Sequence, residues 1–119
     1  MIGDGCLIKS ALVKHSVVGV RSIIGSNCRI EDSLLMGADY YESPEETALT
    51  THKTPVGIGS GTVIRRAIVD KNARIGENCQ IVNAAGVKES NREKEGFIIK
   101  DGGIITIIKD TVLASGTVI

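Results

Sequence analysis

The chain has 119 residues, and its 14 basic and 14 acidic side chains give a formal net charge of zero. This length suits a single domain. Nucleic-acid and anionic-membrane surfaces usually require an excess of basic residues, and a transmembrane helix needs about 18 or more apolar residues in a row. The sequence has neither feature, so it predicts no nucleic-acid partner and no membrane partner.

The apolar residues are mostly β-branched. Ile occurs 17 times and Val 11 times, against six Leu, and aromatic residues make up only 3% of the chain. Stiff β-branched side chains favour strands. The 14 Gly are too many for helix interiors, where each costs about 1 kcal/mol. An all-β fold is therefore predicted.

A six-residue repeat starts at the first residues and recurs to the end. In residues 2–8, 24–30, 58–64, 75–81 and 113–119 an aliphatic residue returns at every sixth position, Gly or Ala follows it, and Cys or Thr stands fifth. The aliphatic residues predicted to point inward are Ile2, Ile8, Leu12, Val18, Ile24, Ile30, Met36, Ile58, Ile64, Val69, Ile75, Ile81, Ile107, Leu113 and Ile119.

A period of six matches neither a helix nor a long alternating strand. It fits a short strand and a tight turn, so that three hexads form one coil of a hexapeptide-repeat solenoid with about four coils. The glycines that follow the aliphatic residues, Gly3, Gly25, Gly59 and Gly76, are expected to relieve crowding at a corner or to adopt positive φ.

The cysteines occupy the fifth place of the repeat. Cys6, Cys28 and Cys79 align there with Thr62 and Thr117. Small core fillers are therefore expected, rather than reactive or metal-binding thiols. An odd count with no C-x-x-C pair also favours a reduced intracellular compartment over a disulfide framework.

Two stretches interrupt the repeat, at about residues 38–55 and 84–103. Insertions into a solenoid are extruded as loops, often on a working face. One helical turn is predicted at residues 45–49, and Phe97–Lys100 has the composition of a strand. Because the open coil ends expose aliphatic residues and strand edges, another domain or subunit is expected to cover them.

Few residues suggest chemistry. Of the two histidines, His15 is either the general base of a hexapeptide acyltransferase that uses an acyl-CoA, or a turn residue facing solvent or a neighbouring subunit. His52, in the first insertion, is expected to be solvated. Lys71, Arg74 and Lys109 lie within or beside hexads, so they are either converging ligands for a small phosphorylated anion or ordinary surface cations.

Several segments resemble one family over essentially all 119 residues. They include Glu-Asp-Ser-Leu-Leu-Met-Gly-Ala-Asp-Tyr-Tyr-Glu at residues 31–42 and Val-Asp-Lys-Asn-Ala-Arg-Ile-Gly at residues 69–76. Residues 16–22 and 96–110 add to the match. These segments resemble the C-terminal domain of ADP-glucose pyrophosphorylase, also called glucose-1-phosphate adenylyltransferase, and residues 36–42 resemble plant or algal subunits. The resemblance implies a left-handed parallel β-helix.

The resemblance also implies an enzyme that converts ATP and glucose 1-phosphate to ADP-glucose and pyrophosphate with Mg²⁺, in starch or glycogen synthesis. Family members place catalysis and Mg²⁺ in an N-terminal nucleotidyltransferase domain whose motifs are missing here. No catalytic residue, metal ligand or cofactor is therefore expected in this chain, which should be inactive alone, and the start at Met1 is expected to be a cut.

What the resemblance transfers to this chain is regulation and assembly. Lys71 and Lys109 match activator-site lysines of the family, where 3-phosphoglycerate activates and inorganic phosphate inhibits. The expected partners are the catalytic domain and the other subunits of a homo- or heterotetramer, in the plastid of a plant or alga or the cytoplasm of a bacterium. Two Gly at 102 and 103, where family members usually have one, leave the loop near Lys109 less defined. A hexapeptide acyltransferase and a purely structural β-helix remain the alternatives.

Overall fold

The computed structural model describes residues 2–40, 45 and 54–119. Of the helical turn predicted at residues 45–49, only Glu45 falls within this part, where it is helical; the other four residues and His52 lie outside the described residues. Within the described ranges, no helix has the length and apolar character needed to cross a membrane.

The described residues contain fifteen short strands that form three faces. Face 1 consists of β1 (Leu7–Ile8), β4 (Ile23–Ile24), β7 (Gly57–Ile58), β10 (Arg74–Ile75) and β15 (Val112–Leu113). Face 2 consists of β2 (Leu12–Lys14), β5 (Arg29–Glu31), β8 (Val63–Arg65) and β11 (Gln80–Ile81). Face 3 consists of β3 (Val17–Val18), β6 (Leu34–Leu35), β9 (Ala67–Val69), β14 (Ile104–Ile107), β13 (Phe97–Lys100) and β12 (Ser90–Arg92).

Successive strands visit the three faces in turn, so each coil contributes one strand to each face. Strands of neighbouring coils pair in parallel, with Ile24 opposite Ile58, Ile30 opposite Ile64, and Leu35 opposite Val69. Four coils end with β3, β6, β9 and β14, and β15 begins a fifth. The predicted parallel β-helix of about four coils is confirmed.

The core is the stacked aliphatic residues of the repeat, but three of the residues predicted to point inward, Leu12, Met36 and Ile2, are exposed. Leu12 and Met36 are 49% and 39% exposed, whereas their neighbours Val13 and Leu35 pack inward. The reason is that the inward spacing shortens from six residues to five at some corners, as from Ile30 to Leu35. Ile2, in the first coil, is also exposed.

The corner between faces 2 and 3 explains the shorter spacing. His15, Asp32, Arg66 and Asn83 occupy it in successive coils, with φ between 48° and 53°. A single residue in this left-handed conformation reverses the chain within a tight turn. Gly25, Gly59 and Gly76 do not have positive φ; a Cβ at each would come within 2.4–2.7 Å of the next coil's backbone. Of the two roles predicted for these glycines, relief of crowding is confirmed.

The second interruption folds onto the helix as a hairpin. β12 pairs antiparallel with β13, and β13 pairs antiparallel with β14, with a short 3-10 turn at Glu93–Glu95 between β12 and β13. Phe97 and Ile99 from β13 join the main core. The strand predicted at Phe97–Lys100 is confirmed, and it widens face 3 to six strands.

Candidate anion-binding site

The two predicted activator lysines stack on each other at one corner. Lys71 and Lys109 each stand two residues after paired strand residues, Val69 and Ile107, on the turn from face 3 to face 1. The amide of Asp110, next to Lys109, donates a hydrogen bond of 3.0 Å to the carbonyl of Lys71. We call this place the lysine corner. Neighbouring strands of a sheet lie only about 4.8 Å apart, so the two side chains leave the backbone from adjacent positions, and the charges of both act on Asp39.

Backbone turns hold the lysine corner. Asn72 and Asp110, which follow the two lysines, both have φ of 61°, and Asn and Asp tolerate this conformation better than most residues. The amide of Lys71 donates a hydrogen bond of 2.7 Å to the Asp70 carboxylate. The Asp-Lys-Asn sequence therefore encodes the turn as well as the charge.

A carboxylate faces the lysines from the preceding coil. Asp39 Oδ1 lies 3.3 Å from Lys71 Nζ. Buried Asn72 holds Asp39 twice, since Asn72 Nδ2 donates to Asp39 Oδ2 at 3.1 Å and the Asp39 amide donates to Asn72 Oδ1 at 2.9 Å. The hydrogen bonds from Asn72 and Lys71, with the charges of Lys71 and Lys109, lower the pKa of Asp39 below its ordinary value.

Arg74 does not point outward, so both alternatives predicted for it, a ligand in an exposed anion site and an ordinary surface cation, are wrong. The residue is only 9% exposed. Its Nη1 donates to the carbonyl of Thr54 at 2.8 Å, and its Nη2 donates to the hydroxyl of Tyr40 at 3.4 Å. Arg74 therefore ties both described ends of the first insertion to β10.

Sequence reasoning missed Asp39 and Asn72 as parts of this site. They are 33 residues apart, and no local spacing predicts that they meet. The alignment of successive coils could have predicted this contact. Gly37 precedes Asp39 by two residues, and its carbonyl accepts a hydrogen bond from the Asn72 amide across the same corner. Once two coils are aligned, the residues that leave the corner of one lie beside the next.

The cysteines fill the core as predicted. Cys28 and Cys79 are buried and Cys6 is half-buried. Cys28 Sγ donates to the carbonyl of Gly59 at 3.1 Å, and Thr62 Oγ1 makes the equivalent bond to Gly76 at 3.0 Å. Burial raises the pKa of the Cys28 thiol, which disfavours the reactive thiolate.

His15 is an exposed turn residue, as the interpretation of a turn histidine facing solvent or a neighbouring subunit predicts. Its side chain is 78% exposed, with Nδ1 3.6 Å from Asp32 Oδ1. It shares its left-handed backbone with Asp32 and Arg66 of the same corner, so turn geometry is enough to explain a polar residue there.

Nowhere in residues 2–40 and 54–119 do three His, Cys, Asp or Glu side chains come together to hold a metal ion.

Fold and site together define the class as a hexapeptide-type parallel β-solenoid with two lysines stacked at one corner. A family model described as the GLGC left-handed parallel β-helix domain matches residues 1–118. A wheat glucose-1-phosphate adenylyltransferase small subunit, chloroplastic/amyloplastic, is 54% identical over 121 residues, covering the whole chain and 25% of the wheat protein. A maize protein named glucose-1-phosphate adenylyltransferase small subunit is 53% identical over 122 residues, covering the whole chain and 97% of the maize sequence.

The chain therefore belongs to the left-handed β-helix domain family of glucose-1-phosphate adenylyltransferase, that is, ADP-glucose pyrophosphorylase. The predicted resemblance and the predicted left hand of the helix are both confirmed. The chain spans about a quarter of the length of the wheat relative.

Proposed function

We propose that this chain is the regulatory and subunit-assembly domain of a glucose-1-phosphate adenylyltransferase. The whole enzyme would form ADP-glucose and pyrophosphate from ATP and glucose 1-phosphate, with Mg²⁺ and the catalytic groups supplied by a nucleotidyltransferase domain. The identity to two proteins of that name over the full chain supports this proposal. The chloroplastic/amyloplastic wheat relative supports a plastid location.

The regulatory role is assigned to the lysine corner, which would bind 3-phosphoglycerate as activator and inorganic phosphate as inhibitor. The observation that carries it is the stacking of Lys71 and Lys109 in consecutive coils. Two ammonium groups on a rigid corner suit a phosphate or carboxylate because charge-assisted hydrogen bonds are the stronger kind. Lys71 is 44% exposed in its side chain, so an anion from solvent can reach it.

Replacing either lysine tests this assignment in the full-length enzyme. In Lys71→Ala and in Lys109→Ala, the 3-phosphoglycerate concentration for half-maximal activation should rise by about tenfold or more, because a hydrogen bond to a charged group is worth about 1.5–3 kcal/mol. Turnover without activator should stay largely intact, since neither lysine belongs to the nucleotidyltransferase domain.

Lys100→Ala is the matched control, because Lys100 is an exposed lysine at the end of β13. The Lys100→Ala enzyme should be activated by 3-phosphoglycerate like the wild type. Unchanged activation in both corner variants would contradict the site. If calorimetry detected no binding of 3-phosphoglycerate to the wild-type enzyme, a purely structural β-helix would be the better explanation. Acetyl transfer by the chain that is lost in His15→Ala would instead support the acyltransferase.

The assembly role is assigned to the outer side of face 3. There an apolar row crosses consecutive strands, with Val17 opposite Leu34, Leu34 opposite Ile68, and Thr106 between Ile68 and Ile98. Val17 and Leu34 are 43% and 38% exposed. Within this row Val17, Leu34 and Ile68 form a contiguous apolar strip, which is typical of a surface covered by another subunit or domain.

A further inference from the structure

Asp39 occupies the place where an anion would meet the lysine corner. Its carboxylate is 3.3 Å from the Lys71 ammonium, and Lys109 also contributes to lowering its pKa through charge. The Asp39 side chain remains 46% exposed, so the ion pair lies at the surface and an ion from solvent can compete for the lysine.

The position of this carboxylate is built into the fold. Gly37 stands in the corner of the second coil, where Lys71 stands in the third, and the chain leaves the helix there toward the first insertion. The Asp39 backbone is fixed to Asn72 Oδ1, and its carboxylate is fixed to Asn72 Nδ2. Asn72 is only 6% exposed, so the amide that orients Asp39 is itself held by packing.

We infer that Asp39 is a built-in counter-anion that competes with phosphorylated effectors for Lys71 and Lys109 and thereby sets the affinity of the lysine corner. This inference rests on the proposed function of the two lysines. In the unliganded state Asp39 neutralises Lys71; an incoming phosphate must displace that interaction and tolerate a negative neighbour. Asp39 thereby lowers the affinity of the lysine corner for anions, so that occupancy of the corner can follow changes in effector concentration.

The substitution Asp39→Asn isolates the charge, because an asparagine can still accept the hydrogen bond from Asn72 Nδ2. Inorganic phosphate binding to the full-length enzyme is measured by titration calorimetry, and activation by 3-phosphoglycerate is measured by turnover. Removing the carboxylate should tighten phosphate binding and lower the half-activating concentration by about three- to tenfold, as expected for one unit charge a few ångströms from a bound anion in a largely aqueous setting.

Three further variants test whether the loss of the Asp39 charge causes the change in phosphate affinity. Glu95→Gln removes an equivalent exposed carboxylate, one paired with Arg92 outside the lysine corner, and should leave phosphate affinity unchanged. Asp39→Ser removes the same charge with a smaller side chain, so it serves as a second test if Asp39→Asn disturbs folding. In a Lys71→Ala background, Asp39→Asn should improve phosphate binding less than in the wild type.

The outcomes separate the two proposals. If Lys71→Ala and Lys109→Ala weaken phosphate binding but Asp39→Asn and Asp39→Ser leave it unchanged or weaker, the counter-anion is overturned while the lysine corner stands. If the lysine variants bind phosphate like wild type, both proposals are overturned. An equal gain in Glu95→Gln would show a general effect of net charge and would also overturn the role of Asp39.

Discussion

The residue after the inward aliphatic of β4, β7 and β10 on face 1 shows how stacking restricts side-chain size. Gly25, Gly59 and Gly76 stand there in consecutive coils, each with a neighbouring coil against its Cα. Ala114 takes the same place after Leu113 in the last coil and is exposed. The neighbouring backbone therefore leaves no room for a methyl group at these three glycines, whereas Ala114 and, in the first coil, Lys9 carry side chains at the same place.

Gly59→Ala tests this steric limit. The new Cβ would lie 2.4 Å from the carbonyl oxygen of Gly76, so the backbones of the third and fourth coils must separate. We expect a destabilisation of about 2–3 kcal/mol, in the upper part of the range that overpacking causes, seen as faster amide hydrogen exchange in β7 and β10. Gly102→Ala is the comparison: its Cβ meets nothing within 4 Å, but its φ of +84° should cost about 1 kcal/mol. An equal or smaller effect at Gly59 would contradict the close-packing account.

At the scale of elements, the sequence predicted the strands better than the corners. Inward aliphatics at six-residue spacing located most core strands because each must bury one side chain per face. Leu12 and Met36 were misassigned because a corner with one left-handed residue, such as Asp32, shortens the spacing to five. A polar residue that adopts positive φ looks in sequence like any other surface residue, so the pattern alone did not reveal the shorter turn.

Arg74 is an element-scale connection between β10 and the first insertion. It bonds both Tyr40 and Thr54, the described residues that flank the insertion. Arg74→Ala should therefore loosen both ends and leave polar groups without their buried donor, at a cost of about 2–4 kcal/mol.

Hydrogen exchange around Thr54, together with thermal unfolding of the full-length enzyme, measures this change. Arg65→Ala is the control, since Arg65 is exposed on β8 and pairs with Glu31 at the surface, where such a pair is worth about 1 kcal/mol at most. If Arg74→Ala perturbed exchange no more than Arg65→Ala, the connecting role of Arg74 would be wrong.

At the scale of the whole molecule, the candidate site depends on coil alignment that a single sequence does not contain. Lys71 and Lys109 were predictable through the family motif, but their stacking follows from the pairing of Val69 with Ile107 across the second insertion. Asp39 joins them only because the first insertion leaves the helix one coil earlier at the same corner. Both contacts depend on which coil stacks on which. The sequence alone does not reveal this order, because it does not show how each insertion returns the chain to the helix.

The outer side of face 3 gives the assembly proposal its test. Leu34 lies between Val17 and Ile68 in the apolar row and points away from the core, so Leu34→Glu should fold normally. A buried charge at the centre of a subunit interface commonly costs 2 kcal/mol or more, which corresponds to an association about 30-fold weaker. Sedimentation of the full-length enzyme should then show dissociation at concentrations where wild type remains assembled. Gln80→Glu adds the same charge to the exposed outer side of face 2 and should sediment as wild type; identical sedimentation of all three proteins would place the subunit contacts elsewhere.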